Sequence, residues 1–134
     1  MAQDDPEATC PKWEKFLSET FPEDSQDVAW EIPGHLMIPD RSLQKAVLLL
    51  GEGSNGKSTY QRALVSFLGR RNVASLTLHN LESNRFAPAR LVGKLANICA
   101  DLPSADLTGS SMFKAITGGD VITGERKHVD SFDF

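Results

Sequence analysis

The chain has 134 residues, 40% of them hydrophobic and 24% charged, with a net charge of -4, which is the size and balance of one globular domain and excludes a wholly disordered chain. Its two cysteines, Cys10 and Cys99, exclude a disulfide framework or a cysteine zinc site, and Cys99 stands in an apolar-leaning stretch where a small buried thiol is the expectation. No run of about 18 apolar residues and no basic, apolar leader is readable, so the expectation is a cytoplasmic protein with no membrane partner.

Charge is unevenly spread. Residues 1–31 carry nine Asp and Glu against two Lys, whereas residues 32–134 carry nine acids against twelve Lys and Arg. An ordinary solvated surface can carry that excess, so the total alone does not mark a nucleic-acid groove.

In chain order, residues 1–10 read as a disordered acidic terminus and residues 11–43 as a small helical lead-in. Pro11 opens a helix at its first turn, where its missing N–H costs nothing. Trp13, Phe16 and Leu17 recur at helical spacing, and Phe21-Pro22 stops the run. Asp24 and Ser25 cap a second short helix carrying Val28, Ala29 and Ile32, which Pro33-Gly34 is expected to end. The aromatic residues here read as core or interface, not as a cofactor platform.

From Gln44 the pattern changes. Residues 46–50, AVLLL, predict a strand; 57–68 a helix; 74–78 a strand; 85–92 a short helix containing a proline; and 95–100 a strand. This alternation predicts an α/β fold with a parallel sheet flanked by helices. On the helix, Tyr60, Ala63, Leu64, Phe67 and Leu68 form one apolar face, Gly69 is a natural C-cap, and Arg70 and Arg71 stand favourably near the negative helix end.

The chemistry concentrates in Gly51, Glu52, Gly53, Ser54, Asn55, Gly56, Lys57 and Ser58, followed by Thr59, which satisfy G-x-x-x-x-G-K-S/T in full. Glycines let such a loop curl so that backbone N–H groups face phosphate oxygens at a helix N-terminus. Lys57 is expected to reach the β and γ phosphates, and the Ser58 hydroxyl to ligate magnesium. An accidental glycine-rich turn is the competing reading, but chance produces the pattern in roughly one chain of this length in two hundred. Hydrolysis also needs a strand-end carboxylate for the magnesium site, and Asp101 ends the 95–100 run; otherwise it is a helix cap or loop acid before Pro103. No N-K-x-D stretch is present to select guanine, so ATP is the expected nucleotide and Mg2+ its cation.

Near the end, Met112, Ala115 and Ile116 mark a short helix that Gly118 and Gly119 terminate. Residues 121–129 then predict a hairpin turning near Gly124-Glu125, with Arg126, Lys127 and His128 as a basic tip or flank. A basic hairpin can grip a phosphate backbone, though spacing alone gives an ordinary solvated hairpin equal weight.

The ordered segments GEGSNGKST, NRFAPARLVGKLANICADLP and MFKAITGGDVITGERKHVDSFDF together resemble the helicase domain of phage and plasmid primase-helicases, a branch of the superfamily 3 helicases, and PKWEKFL resembles their lead-in. The resemblance covers most of residues 11–134. It implies a P-loop NTPase (AAA+-like) core over residues 44–134, with 51–59 as Walker A, Asp101 in Walker B, and residues 114–127 as the third motif. Lys127 and His128 would stand on a DNA-gripping hairpin. It also implies hexameric rings on single-stranded or forked DNA, ATP hydrolysis driving translocation, a bacterial host cytoplasm, and a primase domain or partner. Leu102 stands where many members carry a second acid, which leaves the residue that orients water unassigned. The core is expected to be incomplete at its C-terminal side, since the γ-phosphate sensor and arginine-finger regions are not recognised, and Arg85, Arg90 and Arg126 earn no such role. The lead reading is a weakly active or inactive ATPase and helicase module. A non-enzymatic nucleotide-binding or assembly fragment is the alternative, and a small-molecule kinase fits least.

Overall fold

A computed structural model describes residues 5, 7–40, 42–100, 102, 111–127 and 129–134. Helix α1 (Pro11–Thr20) begins at its proline as expected and closes with the Phe21 N–H donating to Leu17 O, just before Pro22. Helix α2 (Glu23–Leu36) starts ahead of its expected caps, with Glu23 and Asp24 in its first turn to complement the helix dipole. Asp24 and Ser25 are therefore inside the helix and do not cap it.

Helix α2 does not stop at Pro33-Gly34; it runs through both to Leu36. A proline inside a helix withholds the N–H that residue i−4 would accept, here at the carbonyl of Ala29. The Tyr60 hydroxyl donates to that carbonyl at 2.7 Å in a buried position. A side chain distant in sequence supplies the bond that Pro33 cannot, and the helix continues.

Helix α3 (Lys57–Leu68) has the expected bounds and buries Tyr60, Leu64 and Leu68, while Phe67 stays 57% exposed. Its apolar stripe is thus narrower than the spacing suggests. Tyr60 and Leu64 join Leu17, Ala29 and Ile32 in one core. Trp13 stacks on the Tyr60 ring at 5.5 Å and Phe21 meets it edge-on at 5.0 Å. The lead-in helices therefore share a core with the helix that follows the glycine-rich loop.

A second core gathers Ala74, Leu76, Leu81 and Ala87, covered by Leu91, Met112 and Ile116. Around it, strand β1 (Val73–Ala74) pairs in parallel with β2 (Ala96–Asn97), helix α4 (Leu78–Ser83) follows β1, and helix α5 (Ser111–Gly118) follows later in the chain. Glu82 on α4 receives the Met112 N–H at 3.1 Å, which ties the start of α5 to α4.

The expected P-loop NTPase (AAA+-like) sheet is overturned. The described residues contain one two-stranded parallel pair and one two-stranded antiparallel pair, with no extended parallel sheet. Residues 46–50, expected as a core strand, join no ladder there, and Val47, Leu48 and Leu50 are 56%, 53% and 81% exposed. An apolar run reports a preference for burial, but a strand also needs neighbours, and local sequence does not supply them. The expected strand at 74–78 is cut short because the Thr77 side chain accepts the Asn80 N–H and turns the chain into α4. In the 95–100 stretch, the Asn97 carboxamide exchanges two hydrogen bonds with the Leu76 backbone, at 2.8 and 2.9 Å, so a side chain takes the place of further ladder. Residues 85–92 hold only a 3-10 turn, Pro88–Leu91.

The hairpin is present but longer than expected, with β3 (Thr123–Arg126) antiparallel to β4 (Val129–Asp133). Arg126 pairs with Val129, so the chain reverses beyond Arg126 and not at Gly124-Glu125. Gly124 lies within the strand because a β carbon there would stand 3.0 Å from the Phe134 ring and 3.1 Å from Phe132. Among the described residues, no helix is long and apolar enough to cross a membrane.

Candidate functional site

The 51–58 loop leads into the N-terminus of α3, where the first helical N–H groups have no partner within the helix. Gly56, at φ 85°, makes the entry, and the Tyr60 N–H returns to Gly56 O at 2.9 Å. A β carbon on Gly56 would approach Thr20 Cγ2 at 2.6 Å, so the loop is seated closely against the end of α1. Gly51, at φ 150°, leaves room that a β carbon would fill, 2.0 Å from Asn55 Nδ2 and 3.5 Å from Lys57 Nζ. Ser54 holds a left-handed φ of 60°, a sparsely populated conformation for a residue with a β carbon.

These dihedrals wrap the loop around one cation. The Lys57 ammonium donates to Gly51 O at 2.6 Å, Glu52 O at 3.0 Å and Asn55 Oδ1 at 2.8 Å. All three acceptors are neutral oxygens of the loop itself. Phosphate oxygens carry charge and make stronger bonds to an ammonium, so this arrangement can exchange loop oxygens for a polyphosphate. Ser58 and Thr59 beside it are exposed, and Thr59 Oγ1 accepts from Arg62 at 3.2 Å. Glycine cradle, ammonium, hydroxyl and helix N-terminus form a donor set that fits a nucleotide's phosphates. Among the described residues, no three His, Cys, Asp or Glu side chains gather to hold a metal by themselves.

Asp101 lies outside the described residues. The chain approaching it is anchored beside α3: Gln61 Nε2 donates to Cys99 O at 3.3 Å, and Ile98 packs against the core that contains Tyr60. Cys99 is half-buried.

Of the three basic residues assigned to the hairpin, Arg126 and Lys127 are exposed, and His128 lies outside the described residues. The Arg126 guanidinium stands 5.1 Å over the Phe132 ring. Strand β3 packs against the Pro88–Leu91 turn, and an open cleft of about 670 Å³ runs between the hairpin and residues Arg85 and Phe86. The loop is thus seated on α1, while the hairpin is seated on the Pro88–Leu91 turn. Gln44, just before the loop's apolar run, donates to Gly118 O at 2.9 Å, just before the hairpin.

A family profile spans the loop, the 95–100 stretch and the hairpin, matching residues 49–134. The chain belongs to the DUF5906 family. This is described as a family of unknown function, so membership carries no activity with it. The match leaves α1 and the whole of the lead-in outside, although the DUF5906 loop is packed on that helix. No curated protein matches the chain.

Two features escaped the sequence reading. Tyr60 appeared as one member of an apolar stripe, yet its hydroxyl holds α2; a proline inside a helix, with an unpaired carbonyl four residues earlier, was the available signal. Burial raises the Tyr60 phenol to about 12, so it stays a neutral donor throughout the neutral range. Arg85, weighed in the sequence only as an arginine-finger candidate, and Phe86, one letter of a segment that carries the resemblance, face the hairpin across the cleft.

Proposed function

We propose that the chain binds ATP with magnesium at the 51–59 loop and single-stranded DNA at the β3–β4 hairpin, as the nucleotide-binding module of a phage or plasmid replication helicase working in the bacterial cytoplasm. The observation that carries this reading is the Lys57 ammonium at the centre of the curled loop, held by three loop oxygens at 2.6–3.0 Å. On binding, Lys57 turns from those oxygens to the β and γ phosphates, and the first N–H groups of α3 face the anion. The Ser58 hydroxyl and Asp101 would hold magnesium. Bound with the triphosphate, that ion neutralises charge on the phosphates. Glycine at 51 keeps clear the space beside Asn55 and Lys57 that a β carbon would close, and glycine at 56 lets the loop seat against Thr20 of α1. Ring assembly with further copies belongs to the same proposal, resting on the resemblance alone.

The hairpin half rests on the exposed Arg126 and Lys127. Titration calorimetry is expected to show ATP and ADP binding and adenosine failing to bind, because the contacts are to phosphate. Lys127→Ala is expected to weaken binding of a fluorescein-labelled oligothymidylate and reduce its salt slope by about 0.7, the share of one phosphate contact on a single strand. ATP affinity should not change. Wild-type protein that shows no salt-dependent strand binding with ATP and magnesium present would end the DNA half of the proposal and leave the nucleotide half standing.

A further inference from the structure

The open cleft beside the hairpin has two unlike walls. One, on the hairpin, carries the cations of Arg126 and Lys127 together with the carboxylates of Glu125 and Asp130; the other carries Arg85 and the half-buried ring of Phe86. The second wall is held firmly in place. The Phe86 N–H donates to Asn84 Oδ1 at 3.0 Å and the Ala87 N–H to Asn84 O at 2.8 Å, and Ala87, Pro88 and Ala89 are buried directly behind it. Arg85, by contrast, makes two weak contacts among the described residues. Its guanidinium lies 4.8 Å over the Phe86 ring, and its Nε is 3.4 Å from Glu125 Oε2, in a pair with 72% and 38% of its side chains exposed. Exposed ion pairs of this kind are weak and easily exchanged.

From this arrangement we propose that the cleft is a single-strand groove in which one unstacked base replaces the Arg85 guanidinium on the Phe86 ring while Arg85 leaves Glu125 for a phosphate. The proposal rests on the hairpin being a DNA surface and adds the opposite wall and the base contact to it. A ring fixed to a buried turn is a platform that any base can use, since every base has a π face. Three cations, Arg85 on one wall and Arg126 and Lys127 on the other, outnumber the carboxylates of Glu125 and Asp130 in the cleft and match a backbone that passes over the ring. A duplex keeps its bases stacked and offers none to Phe86, so the groove selects single strands. Glu125 works as a brake, because it neutralises Arg85 until phosphate displaces it.

Fluorescence anisotropy with two strands of equal length and charge, an oligothymidylate and a chain of abasic sites, separates stacking from charge. Wild type is expected to bind the oligothymidylate at least about fivefold tighter than the abasic strand. Phe86→Leu is expected to erase that preference and leave abasic affinity unchanged, which also reports an intact fold. Glu125→Gln is expected to tighten both strands, because Arg85 then has no carboxylate to leave, and Arg85→Ala is expected to reduce the salt slope by about 0.7, the share of one phosphate contact. Equal wild-type affinity for the two strands overturns the Phe86 platform and leaves the hairpin's charge-driven binding intact. No binding of either strand overturns both. The wild-type comparison stands even if Phe86→Leu does not fold, and an unchanged salt slope in Arg85→Ala overturns the Arg85 role.

Discussion

Lys57→Ala is expected to lower ATP affinity about a hundredfold or more in titration calorimetry. The side chain is the only cation the loop encloses among the described residues, and its ammonium contacts oxygens from three separate loop residues. Bonds from an ammonium to a charged oxygen contribute about 1.5–3 kcal/mol each, and about 2.7 kcal/mol is a hundredfold in affinity. Removing the ammonium's bonds to both the β and the γ phosphate accounts for the effect. The truncation also releases Gly51 O, Glu52 O and Asn55 Oδ1, but Glu52 and Asn55 are exposed and water replaces the ammonium there. Melting temperature should therefore move little while affinity collapses. Unchanged ATP affinity would remove the loop from any nucleotide role.

Tyr60 gives the second large effect, on stability. Its ring is 1% exposed between Trp13 and Phe21, and its hydroxyl satisfies the carbonyl that Pro33 leaves open. Tyr60→Ala removes both and is expected to cost about 3–5 kcal/mol, as for other buried aromatics. A small domain has only about 5–15 kcal/mol in total, so that loss is a large part of it. Tyr60→Phe keeps the ring and leaves the Ala29 carbonyl buried without its donor, at about 1–3 kcal/mol.

Pro33→Ala restores an N–H to that carbonyl, so Tyr60→Phe should cost much less in its presence. Urea unfolding of the two single variants and the double variant measures this coupling; additive costs would show that the hydroxyl does not serve α2. Alkaline pH tests the same group. The folded phenol stays protonated to about 12, whereas an unfolded one ionises near 10, so wild-type stability should fall between those values. In Tyr60→Phe that fall should be smaller.

What was legible in the sequence follows how local each determinant is. Helix α3 was read to the residue because its apolar spacing, its glycine entry and its glycine exit lie in one stretch. Pro11 marked the start of α1 in the same way. Helix α2 outran its expected stop because the group that rescues Pro33 comes from Tyr60, 27 positions later in the numbering and 31 from the carbonyl it serves. The parallel sheet failed for a related reason. The apolar letters of residues 46–50 are unambiguous, but a strand is defined by its neighbours, and the described pairing stops at two residues a side. The hairpin's turn was misplaced because Gly124 signalled a reversal where it provides clearance for Phe132 and Phe134.

The loop was the most readable part of the candidate site, since its glycines, Lys57 and the helix after it are contiguous. Asp101 and His128 lie outside the described residues, so their roles rest on the residues and the resemblance. Arg85 and Phe86 became visible only when the fold placed them against the hairpin.

The central claim is that residues 51–58 hold nucleotide phosphate. Its most direct test is amide chemical-shift mapping of the isotope-labelled chain titrated with ATP and magnesium. Saturable shifts should appear first and largest in the amides of Gly53 to Ser58, and adenosine should not reproduce them. Saturable binding that leaves those amides unmoved, or that adenosine reproduces in full, would contradict the account.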